Sequence, residues 1–274
     1  MSSRVSVKLI KDSIYSGNRL TTLELEYPRY VHAEFMTHRV FSRNAQSSRA
    51  IPTATAIKRI NEDNWYPIFM KNQPGMQADV PLTGLDLLNA QTLWDEAKFN
   101  AVRSAYDMLS LGIHKQIASR ILEPFSKIKV IVTATEWSNF FTLRIASNAQ
   151  QEIQELASAM KVAIDSSKPL KMDIGNWHLP YIKEDEEGLS ITMLKMLSVA
   201  RCARVSYLNH DGTRSHSKDI ELFYQLAKSK HLSPFEHVAT PSPSPEDVTC
   251  NFIGWNQFRH QLADDIEYYR TIND

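Results

Sequence analysis

Residues 37–49 read THRVFSRNAQSSR. This stretch places His38, Arg39 and Arg49 near the hydroxyl of Ser47, in a chain whose 31 basic and 31 acidic residues leave no net charge. Arginine binds phosphate oxygens through paired N–H groups, and hydroxyls and amides complete such sites. A solvated basic turn would have the same composition. Residues 37–49 are therefore a candidate phosphate site, and the remaining sequence must decide between the two interpretations.

The composition indicates an ordinary globular protein, with 274 residues of which 43% are hydrophobic. Balanced charge argues against binding polymeric nucleic acid, which needs a net basic surface. Cys202 and Cys250 have no metal-ligand spacing, and HLSPFEH at 231–237 lacks the HExxH pattern, so no metal site is predicted. No apolar run could span a membrane and no signal peptide is recognisable, so we expect a cytoplasmic protein without a membrane partner.

Local patterns predict both strands and helices. Residues 5–10 and 20–26 alternate apolar and polar side chains, which predicts a β-hairpin with a fairly long loop. Residues 148–164 predict a helix with one apolar face. A longer amphipathic helix is predicted to end at Gly112. Its expected core residues are Leu87, Ala90, Trp94, Ala97, Ala101, Ala105 and Met108.

The chain is expected to form a single domain, residues 1–274. Residues 52–84 contain four prolines and predict an irregular insertion, and the acidic residues 183–188 predict a solvated loop. Residues 189–207 and 218–228 predict two further helices. A proline-rich linker and C-terminal tail are expected over 241–274.

The sequence contains neither GxGxxG nor GxxxxGK[ST], and glycine occurs only eight times. Side chains must therefore hold any bound nucleotide, because both motifs use glycine to bring the backbone close to phosphate. No nucleophile elbow is present, and Cys202 lies on an apparently apolar helix face, which favours packing over catalysis. A covalent enzymic nucleophile is not expected.

Four separated strings together resemble the flavin-dependent thymidylate synthases. They are THRVFSRNAQSSR at 37–49, LRIASNAQQEI at 143–153, RCARVSY at 201–207 and HLSPFEH at 231–237. The family signature is RHR, seven residues, then Ser. His38 and Arg39 match its second and third positions, and Ser47 follows the seven residues 40–46. The family also has ARVS, PFEH and LR…AQ-x-EI segments, so the resemblance covers well over half the chain.

The order of these segments is unusual. In the family, ARVS and PFEH precede the RHR motif, whereas here they come last, so the chain resembles a circular permutation. The strand 20–26 would replace the strand that normally follows PFEH. A permutation preserves spatial contacts where chain termini lie close together. The resemblance implies an α+β fold with an antiparallel sheet packed against long helices.

The resemblance also implies an activity and an assembly. Members are homotetramers that bind FAD at subunit interfaces and methylate dUMP with methylenetetrahydrofolate, a folate, and NADPH, without an enzymic nucleophile. The implied cofactor-binding residues are His38, Arg39, Val40, Arg144, Asn148, His231 and Ser233. The implied residues for the pyrimidine deoxynucleoside monophosphate are Glu34, Gln46, Ser47, Ser48, Arg49 and Gln257. Ser206 and Glu236 are either cofactor contacts or structural caps.

Several departures put the base pocket in doubt. Thr37 replaces the first Arg of the signature, Glu34 replaces a Gln, and Ala45 replaces an acidic residue. Gln154 replaces the Arg that, in the family, stabilises ionised N3 of uracil. A neutral amide cannot fully replace that cation. Either the tail string GWNQFRH at 254–260 compensates, with Gln257 and Arg259 supplying the missing groups, or the pocket accepts another base. In the first case Gln154 and Arg259 are the expected catalytic residues.

Glu34 could accept from cytosine N4–H, which would suit dCMP. The first explanation is simpler and favours dUMP. A hydroxymethylase on the same scaffold and a non-catalytic nucleotide-binding homologue remain alternatives.

Overall fold

The computed structural model describes residues 2–205 and 215–261. Its main sheet has five strands in the order β3-β4-β2-β1-β5. The strands are β1 Ser6–Tyr15, β2 Asn18–Pro28, β3 Ser42–Ala45, β4 Lys127–Ala134 and β5 Leu170–Lys171. Neighbours are antiparallel except β5, which pairs parallel with β1. The prediction of an antiparallel sheet is therefore wrong for the pair β1 and β5.

The helices are α1 His32–Met36, α2 Thr53–Glu62, α3 Gly84–Ser110, α4 Lys115–Ala118, α5 Ser138–Arg144, α6 Gln151–Asp165, α7 Ile191–Ala203 and α8 His216–Lys228. Short 3-10 helices cover Arg29–Val31, Arg120–Phe125, Glu184–Glu186 and Ser233–His237. Two small sheets pair β6 Ala239–Pro241 with β9 Trp255–Gln257, and β7 Val248–Thr249 with β8 Phe252–Ile253. The structure thus combines α and β elements. Within the described ranges, no helix is long and apolar enough to cross a membrane.

The hairpin of β1 and β2 closes more tightly than predicted. Tyr15 pairs with Asn18, so the loop has two residues, Ser16 and Gly17, both with positive φ. Two such residues are typical of the type I′ turn, whose twist matches that of the flanking strands. Both strands therefore extend beyond residues 5–10 and 20–26, and the prediction of a fairly long hairpin loop is wrong.

The main core lies between the sheet and α6. Leu23 and Leu25 of β2 and Val130 of β4 are fully buried, in one cluster with the apolar residues of α6. Ile153, Leu156, Met160 and Ile164 are all buried, so the predicted face of this helix is confirmed. Because α6 is anchored on the sheet, its first turn and the loop before it are held in place.

The predicted core face of α3 is only partly buried. Only Val102 and Ala105 are buried along this helix, and Ala105 is the single expected core residue among them. Leu88, Leu93 and Phe99 are 59%, 66% and 66% exposed. The helix packs against α2, α4 and the 3-10 helix Arg120–Phe125. These neighbours therefore leave part of the apolar surface of α3 exposed.

The segment 52–84 contains α2 and then a β-like excursion. The Lys71 N–H donates to Val80 O at 2.7 Å, and the Leu82 N–H donates to Phe69 O at 2.9 Å. We call residues 69–82 the flap. The expectation of an irregular segment therefore fails at α2, whereas the flap is irregular apart from the isolated bridge between Met70 and Pro81.

The acidic segment 183–188 is not fully solvated, contrary to prediction. Glu186 is 7% exposed and accepts from both terminal nitrogens of Arg201, at 2.6 and 2.5 Å. The Arg201 Nε donates to Asp219 at 3.1 Å. A buried guanidinium needs such partners, because desolvation of an unpaired charge is costly.

The C-terminal segment is also better packed than a linker and tail. Residues 241–261 include β7, β8 and β9, and Phe252 and Trp255 are fully buried. Ser206, named among the candidate contacts, lies outside the described residues.

Candidate functional site

The structure joins two of the candidate segments directly. Arg144, the last residue of α5, donates from Nε to Nε2 of His38 at 2.9 Å. One of its terminal nitrogens donates to Thr37 Oγ1 at 3.0 Å and to the Glu34 carbonyl at 3.2 Å. The LR segment and the RHR-like segment, 106 residues apart in sequence, therefore meet at one point.

His38 is held as a neutral imidazole in this contact. Its Nε2 accepts a hydrogen bond from a permanently charged guanidinium, so that nitrogen carries no proton. Burial lowers the pKa of His38, and the charges of Arg144 and Arg43 lower it further. The ring also packs edge-on against Phe140, with centroids 4.8 Å apart. These contacts hold the ring in place and favour its neutral form.

Glu34 carries an unused acceptor at the same place. Its carboxylate Oε2 is buried and has no hydrogen-bond partner among the described residues. A buried polar atom without a partner is costly in a folded protein. This oxygen therefore marks a point where a ligand N–H group would be stabilised.

Four of the six predicted nucleotide residues, 46–49, directly follow β3. The Gln46 N–H donates to Lys129 O at 2.8 Å, and the Arg49 N–H donates to Ser47 Oγ at 3.3 Å, which forms a local turn. Gln46 and Ser48 line a cleft of about 400 Å³. Arg29 lines the same cleft and donates to Gln46 O at 3.2 Å. Arg49 is exposed.

Gln154 is engaged in local structure. Its Nε2 donates to the carbonyls of Ile145 and Ala146, each at 2.9 Å. Both amide hydrogens are thereby used at the C-terminal end of α5, where backbone carbonyls lack helical partners. Gln154 therefore stabilises the end of the helix that carries Arg144.

The C-terminal segment reaches β3. Gln257 is fully buried and donates from Nε2 to Asn251 Oδ1 at 2.8 Å and to Ser42 Oγ at 3.2 Å. Its Oε1 is without a partner in the described part of the chain. Arg259 forms a very short ion pair with Glu236, so this arginine and the PFEH segment are in contact.

The remaining candidates lie in different surroundings. Arg39 and Val40 are exposed in the turn after α1, and the Val40 carbonyl accepts from Asn251 Nδ2 at 3.0 Å. His231 is exposed and Ser233 begins the 3-10 helix Ser233–His237, which packs against β3. Asn148 is exposed and lines a second cleft, beside the flap.

A buried chain of hydrogen bonds crosses the main sheet and ends at the RHR-like segment. In order it comprises Ser13, His178, Thr22, Thr133, His237 and Asn44. Successive side-chain atoms lie 2.9, 2.8, 2.7, 2.8 and 3.3 Å apart. The five residues before Asn44 are fully buried. This network was not predicted, because nothing in the sequence places these six residues together.

The donors and acceptors of the chain follow from its Asn44 end. Asn44 contributes Oδ1, which only accepts, so His237 carries its proton on Nε2. Burial lowers the pKa of His237 to about 3, so Nδ1 is bare and accepts from Thr133. Thr22 then donates to Thr133, and His178 donates to Thr22 from Nε2. Both histidines are therefore neutral and protonated on Nε2.

The two cysteines differ in their surroundings. Burial raises the pKa of the Cys202 thiol, so this residue is unsuited to act as a thiolate. Cys250 is exposed, and its Sγ lies 2.9 Å from Nε2 of His260, a contact that sequence reasoning missed. Among the described residues, no group of His, Cys, Asp and Glu side chains could hold a metal ion.

Comparison with known proteins identifies the family. The sequence profile of the "Thymidylate synthase complementing protein" family matches residues 20–169, more than half of the chain. The chain belongs to this family. The resemblance read from the four sequence strings is therefore confirmed at the family level.

Individual relatives match less extensively. The chain is 27% identical over 140 residues to a flavin-dependent thymidylate synthase of Pyrococcus abyssi (strain GE5 / Orsay), across 50% of this chain and 51% of the relative. It thus spans about half the length of that relative. Two structures of the UMP/dUMP methylase PolB from Streptomyces cacaoi, bound with 5-Br UMP and with 5-Br dUMP, also match. Their TM-scores are 0.49 and 0.47, at 19% and 18% identity, covering 62% of this chain and 91% and 92% of theirs.

Proposed function

We propose that the chain binds FAD and methylates C5 of a pyrimidine deoxynucleotide, dUMP, with methylenetetrahydrofolate as carbon donor and NADPH as reductant. The contact between Arg144 and His38 carries this proposal, because it joins two segments that the resemblance assigns to one site. Family membership supports the same activity.

The residues present fit a flavin. Arg144 places a guanidinium beside the imidazole of His38, and the exposed guanidinium of Arg39 suits a phosphate. The residues that would hold FAD are His38, Arg39, Val40, Arg144, Asn148, His231 and Ser233. When bound, the flavin supplies the hydride that the pyrimidine receives.

The protein's own groups bind and orient the nucleotide. Ser47 and Arg49 bind its phosphate, and Glu34 accepts an N–H group of a bound ring. Gln46 and Ser48 line the neighbouring cleft. For the base pocket, the C-terminal segment contributes Gln257 and the cation of Arg259. Gln154, whose amide hydrogens are engaged at α5, acts through the position of Arg144.

The circular permutation forms part of the proposal, within a single domain. It is supported by the hydrogen bonds of His237 to Thr133 of β4 and to Asn44 of β3. These bonds hold the PFEH segment against the motif that it would precede in other members. The family profile also begins at residue 20, in the hairpin strand proposed to replace the usual strand after PFEH.

We further propose a cytoplasmic homotetramer with sites at subunit interfaces. Leu88, Leu93 and Phe99 of α3 support an assembly, because monomers rarely expose so many large apolar side chains on one helix.

The test uses the 274-residue chain purified with added FAD. Incubation with tritium-labelled dUMP, methylenetetrahydrofolate and NADPH should release tritium from C5 and yield dTMP. Arg144→Ala should lose flavin absorbance and turnover, whereas Arg103→Ala, which changes an exposed arginine of α3, should retain both. A protein that binds flavin and nucleotide without turnover would instead support the non-catalytic homologue.

One observation favours a second candidate. The unpartnered carboxylate oxygen of Glu34 would accept the N4–H group of cytosine, which suits a dCMP-directed enzyme. Parallel reactions with dUMP and dCMP, analysed by product mass, separate the two substrates. The same masses distinguish a methyl from a hydroxymethyl product.

A further inference from the structure

Three oxidisable aromatic rings lie in succession from the 3-10 helix Arg29–Val31 to the cleft beside the flap. The ring centroids of Tyr30 and Trp65 are 6.1 Å apart, and those of Trp65 and Trp94 are 6.2 Å apart. Both separations are typical of aromatic side chains in contact. Trp65 is 3% exposed, so the middle ring is shielded from solvent. The three rings therefore form a continuous line, which we call the aromatic path.

The outer end of the aromatic path is Trp94. This residue is half-buried and lines the cleft beside the flap. Its ring also contacts Phe69 and Phe125, with centroids 6.3 and 5.0 Å away. Phenylalanine is far harder to oxidise than tryptophan or tyrosine. An oxidising equivalent at Trp94 therefore passes to Trp65 rather than to these two phenylalanines.

The inner end of the aromatic path is Tyr30. Its hydroxyl is buried and is hydrogen-bonded to the carboxylate of Glu152. Burial, the charge of Glu152 and this bond raise the pKa of Tyr30, so the phenol is protonated. A phenylalanine would fill the same space without burying a hydroxyl beside a carboxylate. The pair therefore offers more than packing requires.

Glu152 is placed to accept a proton. Its carboxylate is 2% exposed and accepts from Ile68 N–H at 2.8 Å and from Gln150 Nε2 at 3.0 Å. Removal of an electron from a phenol makes its proton strongly acidic. The proton of Tyr30 can then move along the existing hydrogen bond to Glu152, without a water molecule or a change of side-chain position.

We propose that the aromatic path conducts an oxidising equivalent from Trp94, where a one-electron oxidant such as a peroxide-derived radical acts, to Tyr30. Trp94 gives one electron to the oxidant and regains one from Trp65. Trp65 regains one from Tyr30, whose phenol proton passes to Glu152. The net step reduces the oxidant by one electron, restores both tryptophans and leaves a neutral tyrosyl radical at Tyr30.

The direction of transfer follows from the chemistry of the two ring types. An oxidised tryptophan is a stronger oxidant than a neutral tyrosyl radical, so the oxidising equivalent ends at the tyrosine once the proton has a destination. The path requires neither flavin nor nucleotide. It therefore stands apart from the proposed methylation, and a failure of one proposal does not affect the other.

Pulse radiolysis of the 274-residue chain as purified tests the path. Azide radicals oxidise tryptophan preferentially, and the absorption spectrum then distinguishes indolyl from phenoxyl radicals. The indolyl signal should convert into a phenoxyl signal at a rate independent of protein concentration, because transfer occurs within one chain. The conversion should be slower in heavy water, because a proton moves with the electron. Decay of the indolyl signal without this conversion overturns the proposal.

Two tyrosine variants identify the end of the path. Tyr30→Phe keeps the ring and should abolish the concentration-independent phase. Tyr27→Phe removes another hydroxyl with a hydrogen-bond partner, His32, from a ring that contacts His32 and Phe35, and should retain the phase. An unchanged phase in Tyr30→Phe would show that the oxidising equivalent ends elsewhere, which also overturns the proposal.

Two tryptophan variants test the middle of the path. Trp65→Phe interrupts the line of oxidisable rings and should abolish the same phase. Trp177→Phe changes a half-buried tryptophan whose ring contacts Phe258, outside the path, and should leave the rate of the phase unchanged. Equal rates in these two variants would contradict transfer through Trp65.

Discussion

The hydroxyl of Thr133 and Nδ1 of His237 lie 2.8 Å apart, and this contact ties the PFEH segment to the centre of the main sheet. His237 is fully buried and stays neutral, because burial lowers its pKa to about 3. A neutral buried histidine makes stability depend on pH, since the unfolded chain can bind a proton that the folded chain cannot.

The free energy of unfolding should therefore fall as the pH is lowered from 6.5, the ordinary pKa of histidine, towards the folded value of about 3. His237 alone should lower the free energy of unfolding by about 2 kcal/mol between pH 6.5 and about pH 5. Urea unfolding at several pH values measures it. His237→Gln keeps a donor and an acceptor without titrating, so it should reduce this slope, whereas the exposed change His260→Gln should preserve it.

Arg144→Met should raise the pKa of His38, because it removes one of the two charges that lower it. Burial remains the larger cause, so the pKa should still lie below 6.5. NMR titration of the imidazole measures the change. Arg39→Met removes an exposed cation from the next residue and serves as the control. An unchanged pKa in Arg144→Met would show that the contact does not persist in solution.

Arg201→Met should lower the free energy of unfolding by about 3–5 kcal/mol, because it leaves Glu186 and Asp219 as buried charges without this partner. Lys161→Met removes one member of an exposed pair with Asp165 and should change it by less than about 0.5 kcal/mol. Chemical denaturation compares the two variants. A similar loss of unfolding free energy in both variants would mean that the buried Arg201 ion pairs stabilise the fold no more than the exposed pair does.

Gln154→Ala removes two hydrogen bonds to the end of α5 and should cost about 1–2 kcal/mol of stability. Because the last residue of α5 is Arg144, flavin affinity should fall as well. Gln151→Ala, a change in the same helix that removes the bond to Ala78, provides the comparison. Equal flavin affinity in the two variants would argue against a positioning role for Gln154.

Leu88→Glu should reduce the size of the assembly, since it places a charge on the exposed apolar face of α3 that carries Phe99. Sedimentation velocity measures the change. Val248→Glu, at a residue that is 67% exposed outside α3, is expected to leave the assembly intact. If the unaltered chain is a monomer, the proposed homotetramer is wrong.

The sequence predicted elements whose evidence is local. The face of α6 could be predicted because Ile153, Leu156 and Met160 follow the helical repeat and lie against one partner, the main sheet. On α3 the same reasoning overestimated burial, because Ala105 is the one buried residue among the seven expected and Ala97 is exposed. Periodicity shows that a helix has an apolar face, but it does not show whether that face is covered within the same chain.

The candidate site was predictable only through the resemblance. Arg144 and His38 are 106 residues apart, and no local pattern relates them. Glu186 illustrates the opposite error, because an acidic run was expected to be solvated while its partner Arg201 lies on another helix. No pattern in the sequence indicates the polar chain, because the burial of Thr22 and Thr133 and the identity of their partners appear only in the structure.

The chain of hydrogen bonds from Ser13 to Asn44 also has an electrical consequence. Every O–H and N–H dipole in it points the same way, so the dipoles add head to tail across the width of the sheet. Ser13 pairs with Leu170 at the β5 edge, and Asn44 lies on β3 at the opposite edge. The side chains at the two margins of the sheet therefore belong to one continuous line of aligned dipoles.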